Sequence, residues 1–352
     1  MKNWLIPGCI ALLALVSILI LRSIAPQLAA IQAFFFIVGL IIFYFLAKIK
    51  LRLLQNFAWP LYALLIIFLI ISQIYGWTTG NTGRWIPILG IFNAQPSQLA
   101  IPIVALVLTS LSGSFNELKQ LVLALVIIIV PAILILIEPD LGTTIAYLVS
   151  TGVILFVSDL SWKKIFYLGL AGFIVAVFAW FFVLQPYQKE RIASFTDRSD
   201  VQDASYNARQ SLIAVGSGQL TGRGLGGGSQ SHLRFLPERQ TDFIFASFAE
   251  EFGFVGSAAV LALYTALIAY IIWVAYQADH QSQLYYCLSI VTMLTIQVVV
   301  NIGMNIGLLP ITGITLPMLS YGGSSIIAFA ISLAVVQSIA KETKQKAVLH
   351  LS

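Results

Sequence analysis

Long runs of apolar residues follow one another along almost the whole chain, and short polar segments separate most of them. A helix needs roughly 20 apolar residues to cross about 30 Å of hydrocarbon. Ten runs approach this length, so we predict an all-α integral membrane protein with ten transmembrane helices, and residues 1–352 form a single polytopic membrane domain. The predicted spans are residues 5–21, 28–46, 57–76, 96–112, 119–137, 141–157, 164–184, 247–276, 283–308 and 316–340.

The distribution of lysine and arginine predicts the orientation of these helices. An even number of spans places both termini on one side, and cytoplasmic loops carry an excess of positive charge. If the N and C termini are cytoplasmic, the inner segments hold ten cations, whereas the short outer loops hold only Arg22 and Arg84. We therefore predict cytoplasmic termini and one large extracytoplasmic loop, residues 185–241, between the seventh and eighth helices.

The amino-acid composition agrees with an integral membrane protein and gives no indication of nucleic acid as a partner. Hydrophobic residues make up 59% of the chain and charged residues only 9%, which suits contact with membrane lipid better than a soluble core. The net charge of +5 is too small and too scattered to predict nucleic-acid binding. Cys9 and Cys287 both lie inside apolar runs, where cysteine behaves as a small hydrophobic residue.

The segment 236–245 carries an acid between the glycine-rich loop and the eighth span. Thr241 or Asp242 can cap that helix, because such residues satisfy its unpaired N–H groups. Asp242 can also act as a general base at the outer membrane boundary, while Arg234 and Arg239 hold an anionic leaving group. The two roles are compatible, so the residues alone leave both open.

Two further outer segments carry groups suited to a phosphorylated ligand. Arg84 can position a diphosphate, since a guanidinium matches phosphate geometry. The adjacent Trp85 is either an interfacial anchor or a ligand platform. Glu138 and Asp140 flank a proline, where acids favour a helix start but can also bind a divalent cation.

Polar residues inside the eighth and ninth predicted spans need hydrogen-bonding or charged partners in the membrane. Glu250 and Glu251 lie within the eighth span, so we expect one of them to line a cavity or to pair with a cation. Gln297, Asn301 and Asn305 recur every four residues and share one stripe of the ninth span. Interhelical hydrogen bonds explain that stripe, and a polar substrate channel is the alternative.

In their order along the chain, these segments resemble the shape, elongation, division and sporulation (SEDS) family, over residues 75–340. The Pro237-Glu-Arg239 form before the aspartate resembles the elongation branch rather than the division branch. The motifs are Gly83-Arg-Trp-Ile86, Gln95-Pro-Ser97, Glu138-Pro-Asp-Leu-Gly142, Tyr206 with Gln210-Ser211, Gly216-Ser-Gly218, Leu236-Pro-Glu-Arg239, Thr241-Asp-Phe-Ile-Phe245, Glu250-Glu251 and Ser320-Tyr-Gly-Gly-Ser-Ser325.

The resemblance implies a peptidoglycan glycosyltransferase of the bacterial cytoplasmic membrane that polymerises lipid II outside the cell during elongation. It implies that Asp242 is the essential acid, which deprotonates the 4-hydroxyl of the acceptor sugar, and that a class B penicillin-binding transpeptidase is the partner. A divalent cation, Mg or Mn, is a possible cofactor. The residues assigned to substrate binding are Arg84, Trp85, Glu138, Asp140, Arg191, Gln210, Ser211, Arg234, Arg239, Thr241 and Glu250.

The chain departs from the family pattern at a few positions. Gln98 and Ile101 stand where the family usually has Glu and Lys, which suggests a lost ion pair on one helix face. Gln240 replaces a usual histidine, and Thr315 and Met318 replace a proline and a phenylalanine. Two other functions stay open on the residues alone: a transporter that flips lipid II, and a noncatalytic scaffold for the transpeptidase.

Overall fold

The computed structural model describes residues 4–79, 83–88, 92–111, 113–182, 184–185, 188–189 and 203–349. Within these residues the chain is mostly helical. The first half contains α1 Leu5–Ile24, α2 Pro26–Leu46, α3 Leu51–Gln55, α4 Ala58–Thr79, β1 Ile86–Ile88, β2 Phe92–Ala94, the 3-10 helix Pro96–Leu99, α5 Ala100–Ser110, α6 Leu118–Ile137, α7 Leu141–Val157 and α8 Trp162–Phe182. The second half contains α9 Asp203–Ser217, α10 Ser229–His232, α11 Ile244–Tyr276, α12 Gln281–Asn305 and α13 Gly323–Leu349.

Eight of the described helices are long and apolar enough to cross a membrane, namely α1, α2, α4, α6, α8, α11, α12 and α13. Each coincides with a predicted span to within a few residues, except that α13 begins seven residues and ends nine residues later than predicted. Two shorter apolar helices, Pro96–Ser110 and Leu141–Val157, coincide with the other two predicted runs. The second has 17 residues and is about 26 Å long at 1.5 Å per residue, which is less than the hydrocarbon thickness.

The mostly helical chain also contains one small sheet that the sequence analysis did not predict. Strands β1 and β2 form an antiparallel hairpin in which Ile86 pairs with Ala94 and Ile88 pairs with Phe92. Strands of three residues are too short to show a clear alternating pattern. The large loop also contains a 15-residue helix, α9, which the sequence analysis did not predict.

Helix α11 is broken at Gly253, whose φ of 66° and ψ of −163° are not helical. A break frees backbone groups, which need other partners in a membrane. Loop residues supply them here: Phe254 N–H donates to the Gln219 carbonyl at 2.9 Å, and Val255 N–H donates to the Leu220 carbonyl at 3.0 Å. The loop is therefore attached to the interior of a membrane-spanning helix.

Helices α12 and α13 are the most buried of the eight long apolar helices in the described chain. Helix α12 packs against α5, α7 and α11, and α13 packs against α2. By contrast, no residue of α8 is fully buried, and only a few of its side chains, such as Ile165 and Leu168, pack against the core, so most of its surface is available to lipid. The central position of α12 brings its polar stripe against the segment that precedes α11.

Candidate functional site

A cavity of about 330 Å³ lies where the ends of several elements converge. Five of the predicted site residues line it: Arg84, Trp85, Asp140, Thr241 and Asp242. They come from three separate chain segments, so the fold brings together motifs that lie more than 150 residues apart. The other lining residues are Gln95, Gln98, Thr143, Ala146, Glu238, Gln297, Gly313, Ile314, Thr315 and Tyr321.

Asp242 lies in the turn before α11, one residue ahead of the N-cap position of that helix. The N-cap residue is Phe243, and no side-chain cap hydrogen bond is formed. The hydroxyl of Thr241 lies 2.9 Å from Glu238 Oε2 and is likewise not used as a cap. Neither residue is thus the N-cap residue of α11, because the helix begins one residue later than a cap at Asp242 would require.

The backbone of Asp242 is held by the polar stripe of α12. Nδ2 of Asn301 and Nδ2 of Asn305 each donate to the Asp242 carbonyl at 3.0 Å. On the next turn, Ala246 N–H donates to Asn305 Oδ1 at 3.1 Å. Ser320 donates its hydroxyl to the Thr241 carbonyl at 2.7 Å. Asn301 and Asn305 thus make the predicted hydrogen bonds, which fix the candidate base in place, whereas Gln297 of the same stripe lines the cavity.

Asp140 combines the two roles that the sequence left open. Its Oδ1 accepts a hydrogen bond from Thr143 N–H at 3.1 Å and so caps α7. Its Oδ2 accepts from Gln95 Nε2 at 3.3 Å, and the side chain lines the cavity. A carboxylate has about four lone-pair positions, so it can cap a helix and still accept a further donor.

Arg84 supports the turn that presents Asp140. Its Nε donates to the Glu138 carbonyl at 2.8 Å, and its Nη2 donates to the Pro139 carbonyl. Both carbonyls follow the C-terminal end of α6, where a cation is favoured by the helix dipole. Since a guanidinium has five N–H donors, Arg84 retains donors for a ligand in the cavity. Beside it, Trp85 is 43% exposed, which leaves its ring accessible.

Glu138 is buried and lies outside the residues that line the cavity in the described part of the chain. It follows the α6 span, and its Oε1 lies 2.7 Å from the Ser72 hydroxyl, which also donates to the Leu69 carbonyl. Burial raises the pKa of Glu138 to about 8, and the Ser72 hydrogen bond and Arg84 oppose that rise. Glu138 therefore contacts Ser72 of α4 and does not line the cavity, which favours a supporting role.

The raised pKa of Glu138 gives a prediction for stability against pH. The proton is bound more tightly in the folded state than in the unfolded state, where the pKa is near 4.5. The resulting stabilisation is complete below pH 4.5 and is lost as the pH rises through about 8. Between pH 7 and 9 we expect a loss of about 1.4 kcal/mol. Thermal unfolding in detergent should show this decrease in wild type and not in Glu138→Gln, whose amide oxygen can still accept the hydrogen bond from Ser72.

Two predicted substrate residues are instead engaged by the protein itself. Glu250 Oε2 accepts hydrogen bonds from the hydroxyl and the N–H of Ser231 at 2.7 and 3.1 Å. Ser211 donates its hydroxyl to the Asn305 carbonyl at 2.8 Å. Both side chains are buried, and neither lines the cavity in the part of the chain that the structure describes. The geometry favours positioning roles for both, because their hydrogen-bonding atoms face loop and helix partners.

The arginines of the large loop are separated from the cavity in the described structure. Arg239 donates from Nη2 to the Ile24 carbonyl at 3.0 Å, and burial together with the nearby Arg234 lowers its pKa. Neither Arg234, which is exposed, nor Gln210, which is half-buried, is among the described lining residues. Arg191 lies outside the described residues. Arg84 is thus the one cation that the described residues place at the cavity.

The ten other lining residues were not assigned to the site from sequence, and Glu238, Gln297, Tyr321 and Gln98 are among them. Glu238 stands inside a quoted motif, so its position before Asp242 was a usable signal. Gln98 lines the cavity and lies 3.3 Å from Gln95, although it replaces a charged residue of the family pattern. Among the described residues, no group of three or more His, Cys, Asp or Glu side chains could hold a metal ion.

Comparison with known proteins extends the resemblance to nearly the whole chain. The sequence profile described as Cell cycle protein, for FtsW, RodA and SpoVE, matches residues 4–345. The peptidoglycan glycosyltransferase MrdB of Escherichia coli strain K12 is 40% identical over 308 residues, which cover 86% of this chain and 82% of that protein. An FtsW protein of Nitrosomonas europaea is 35% identical over 327 residues, with 90% and 83% covered.

Solved structures show the same fold. One, described as structural coordination of polymerization and crosslinking by a peptidoglycan synthase complex, contains a chain that matches with a TM-score of 0.80 at 28% identity and covers 97% of this chain and 98% of that one. The rod shape determining protein RodA of Thermus thermophilus matches with a TM-score of 0.71 at 28% identity, with 96% of each chain covered. This chain therefore belongs to the family of FtsW, RodA and SpoVE cell cycle proteins, the SEDS family that its motifs predicted.

Proposed function

We propose that this chain is a peptidoglycan glycosyltransferase of cell elongation, which polymerises lipid II into glycan strands at the outer face of the bacterial cytoplasmic membrane. The observation that carries the proposal is the cavity that gathers Asp242, Asp140, Arg84 and Trp85. Its acids, its cation and its aromatic ring suit a sugar bearing a diphosphate. The names of the relatives support the same reaction, since MrdB is a peptidoglycan glycosyltransferase.

The proposed orientation places this cavity outside the cell. We infer that α5 with its preceding 3-10 helix and α7 complete ten spans, so that both termini are cytoplasmic and residues 185–241 are extracytoplasmic. Asp242 lies at the start of α11, and Asp140 lies at the start of α7. In this topology both helix starts face outward, where the substrate sugars would lie.

In the proposed reaction, Asp242 accepts the proton of the acceptor 4-hydroxyl. The hydroxyl oxygen then attacks the anomeric carbon of the growing chain, and the bond from that carbon to the diphosphate breaks with inversion. A base held in position contributes about 100- to 10,000-fold to such a step. Arg84 stabilises the charge on the departing undecaprenyl diphosphate, because its remaining N–H groups can face the cavity.

We also propose that a divalent cation, Mg or Mn, assists the reaction. Mg²⁺ usually takes one or two carboxylates and completes its shell with phosphate and water. Asp140 would supply such an oxygen donor at the cavity, and Asp242 would remain the base. The described residues contain no larger cluster of ligating side chains. The cation would neutralise charge on the leaving group. Chelation should therefore reduce diphosphate binding, which isothermal titration with undecaprenyl diphosphate would measure.

A class B penicillin-binding transpeptidase is the proposed partner of this chain. The support is the similarity to the synthase complex in which polymerisation and crosslinking are coordinated. Copurification of the two proteins from detergent extracts would test this assembly.

Reconstituted polymerisation tests the proposed activity against the two alternatives. Purified chain is mixed with its transpeptidase and fluorescent lipid II in detergent, and glycan strands are resolved on a gel. Glycan ladders are expected. A folded protein that makes no ladder but moves lipid II between the leaflets of liposomes would instead be a flippase. One that does neither, yet binds the transpeptidase, would be a scaffold.

A further inference from the structure

Three polar side chains meet where the large loop joins α1 and α11, away from the cavity. Ser23 lies in the last turn of α1, His232 ends α10, and Glu251 precedes the break in α11. His232 Nε2 lies 2.9 Å from Glu251 Oε1, and the Ser23 hydroxyl donates to the same oxygen at 2.6 Å. Glu251 is buried, so its carboxylate depends on these partners. We call this group the Ser23 clamp.

The Ser23 hydroxyl joins the loop to α11 because it both accepts and donates a hydrogen bond. It accepts from Gly226 N–H at 3.0 Å and donates to Glu251. Gly226 has a φ of 80°, a conformation that favours glycine, so the loop turns to present this amide. Removal of the hydroxyl would leave an amide and a buried carboxylate each short of one partner.

The acid before Glu251 holds the same part of the loop. Glu250 Oε1 accepts from Gln230 N–H at 2.9 Å, and its Oε2 accepts from both donors of Ser231. At Gly228, an added Cβ would lie 2.7 Å from Glu250 Oε2, so the loop backbone approaches this carboxylate closely. Two consecutive acids of α11 therefore fix α10, which carries His232.

The clamp is connected to Asp242 through the end of α1. Arg239 Nη2 donates to the carbonyl of Ile24, the residue after Ser23. Arg239 precedes Asp242 by only three residues. From the other side, Leu236 N–H donates to the Gln230 carbonyl at 3.2 Å, and the Leu236 side chain is buried against the start of α11. The segment from His232 to Asp242 is thus tied to α1 and to α10.

We propose that Ser23, His232 and Glu251 are positioning residues for Asp242. The clamp holds the end of α1 in place. The hydrogen bond from Arg239 to the Ile24 carbonyl then holds the turn that carries Asp242 against this end of α1. None of the three side chains is among the lining residues found in the described part of the chain. This proposal rests on the proposed glycosyltransferase activity, because Asp242 is its base there. If these residues only position Asp242, substitutions in the clamp should lower kcat without changing lipid II binding.

Paired variants of Ser23 and His232 test the clamp. Ser23→Ala should lower kcat for lipid II polymerisation about 10-fold with KM unchanged, since a small displacement of a reacting group costs this much or more. Ser23→Thr keeps the hydroxyl and should restore the rate. In the second pair, His232→Leu should lower kcat and His232→Gln, which retains an N–H donor, should restore most of it. Hydrogen exchange at residues 236–243 should be faster in the two damaging variants only.

Matched controls are His280→Gln and Thr265→Val. His280 precedes α12 without a side-chain cap bond, and Thr265 is an exposed residue that bonds its own helix. Unchanged kcat and unchanged exchange in Ser23→Ala and His232→Leu would overturn the proposal, as would an effect confined to KM. If the wild type makes no polymer, the proposed activity fails, but the exchange rates still decide whether the clamp holds the segment. Should Ser23→Ala not fold, the His232 pair decides alone.

Discussion

Asp242→Asn is expected to reduce lipid II polymerisation by about 100- to 10,000-fold while the protein remains folded. Asparagine has nearly the same shape as aspartate but cannot accept a proton at neutral pH. The fold should survive because the groups that bind this residue from α12, Asn301 and Asn305, contact its backbone carbonyl. Gel-resolved polymerisation with fluorescent lipid II, together with thermal unfolding in detergent, would measure both properties.

Asp279→Asn is the matched control for this substitution. Asp279 follows the end of α11, whereas Asp242 precedes its beginning, so the two acids lie at opposite ends of one helix. The control should polymerise lipid II at the wild-type rate. Equal polymer from Asp242→Asn and wild type would remove Asp242 from the role of base. Loss of polymer in both variants would point to a general effect of charge on the folded membrane protein.

Five of the fifteen residues that line the cavity were predictable, because each of them stands in a short motif next to a span. Arg84, Trp85, Asp140 and Asp242 were assigned from charge and position at the outer helix ends, and they do meet. The resemblance to the family predicted that these residues serve the same glycosyltransferase reaction. Positions at helix ends are well determined once the spans are known, since the hydrophobic pattern fixes where each span stops.

Contacts inside the large loop could not be predicted in this way. The sequence counts Arg239 as a free outer cation, yet its guanidinium bonds a carbonyl of α1 more than 200 residues earlier. Glu250 and Glu251 also find their partners in the loop. Such pairings depend on how the irregular loop folds in three dimensions. Neither hydrophobic periodicity nor charge predicts which loop residue will lie next to which helix residue.

The break in α11 could not be predicted from the sequence for a different reason. The apolar run continues across Gly253, so the hydrophobic pattern predicts one uninterrupted helix. A single glycine inside a membrane span is common and does not mark a break by itself. What identifies the break is the set of loop carbonyls that satisfy the freed N–H groups of Phe254 and Val255. These hydrogen bonds from the helix to the loop are visible only in the folded chain.

Asn305→Asp should lower kcat about 10- to 100-fold, although residue 305 does not line the cavity in the described structure. Nδ2 of Asn305 lies 3.0 Å from the Asp242 carbonyl and 2.8 Å from the Asn301 carbonyl. An oxygen in its place would face two carbonyl oxygens without a proton to share, in a buried position. The turn that carries Asp242 would shift, so the rate should fall while KM for lipid II remains close to that of the wild type.

Ser289→Ala provides the control on the same helix, since the buried Ser289 hydroxyl has no hydrogen-bond partner among the described residues. It should leave both the rate and the unfolding temperature near the wild-type values. Asn305→Asp should also unfold at a lower temperature, because each unsatisfied buried group costs about 1–3 kcal/mol. A stable Asn305→Asp protein with the wild-type kcat would show that Asp242 keeps its place without this amide, and that Asn301 alone suffices to hold the base.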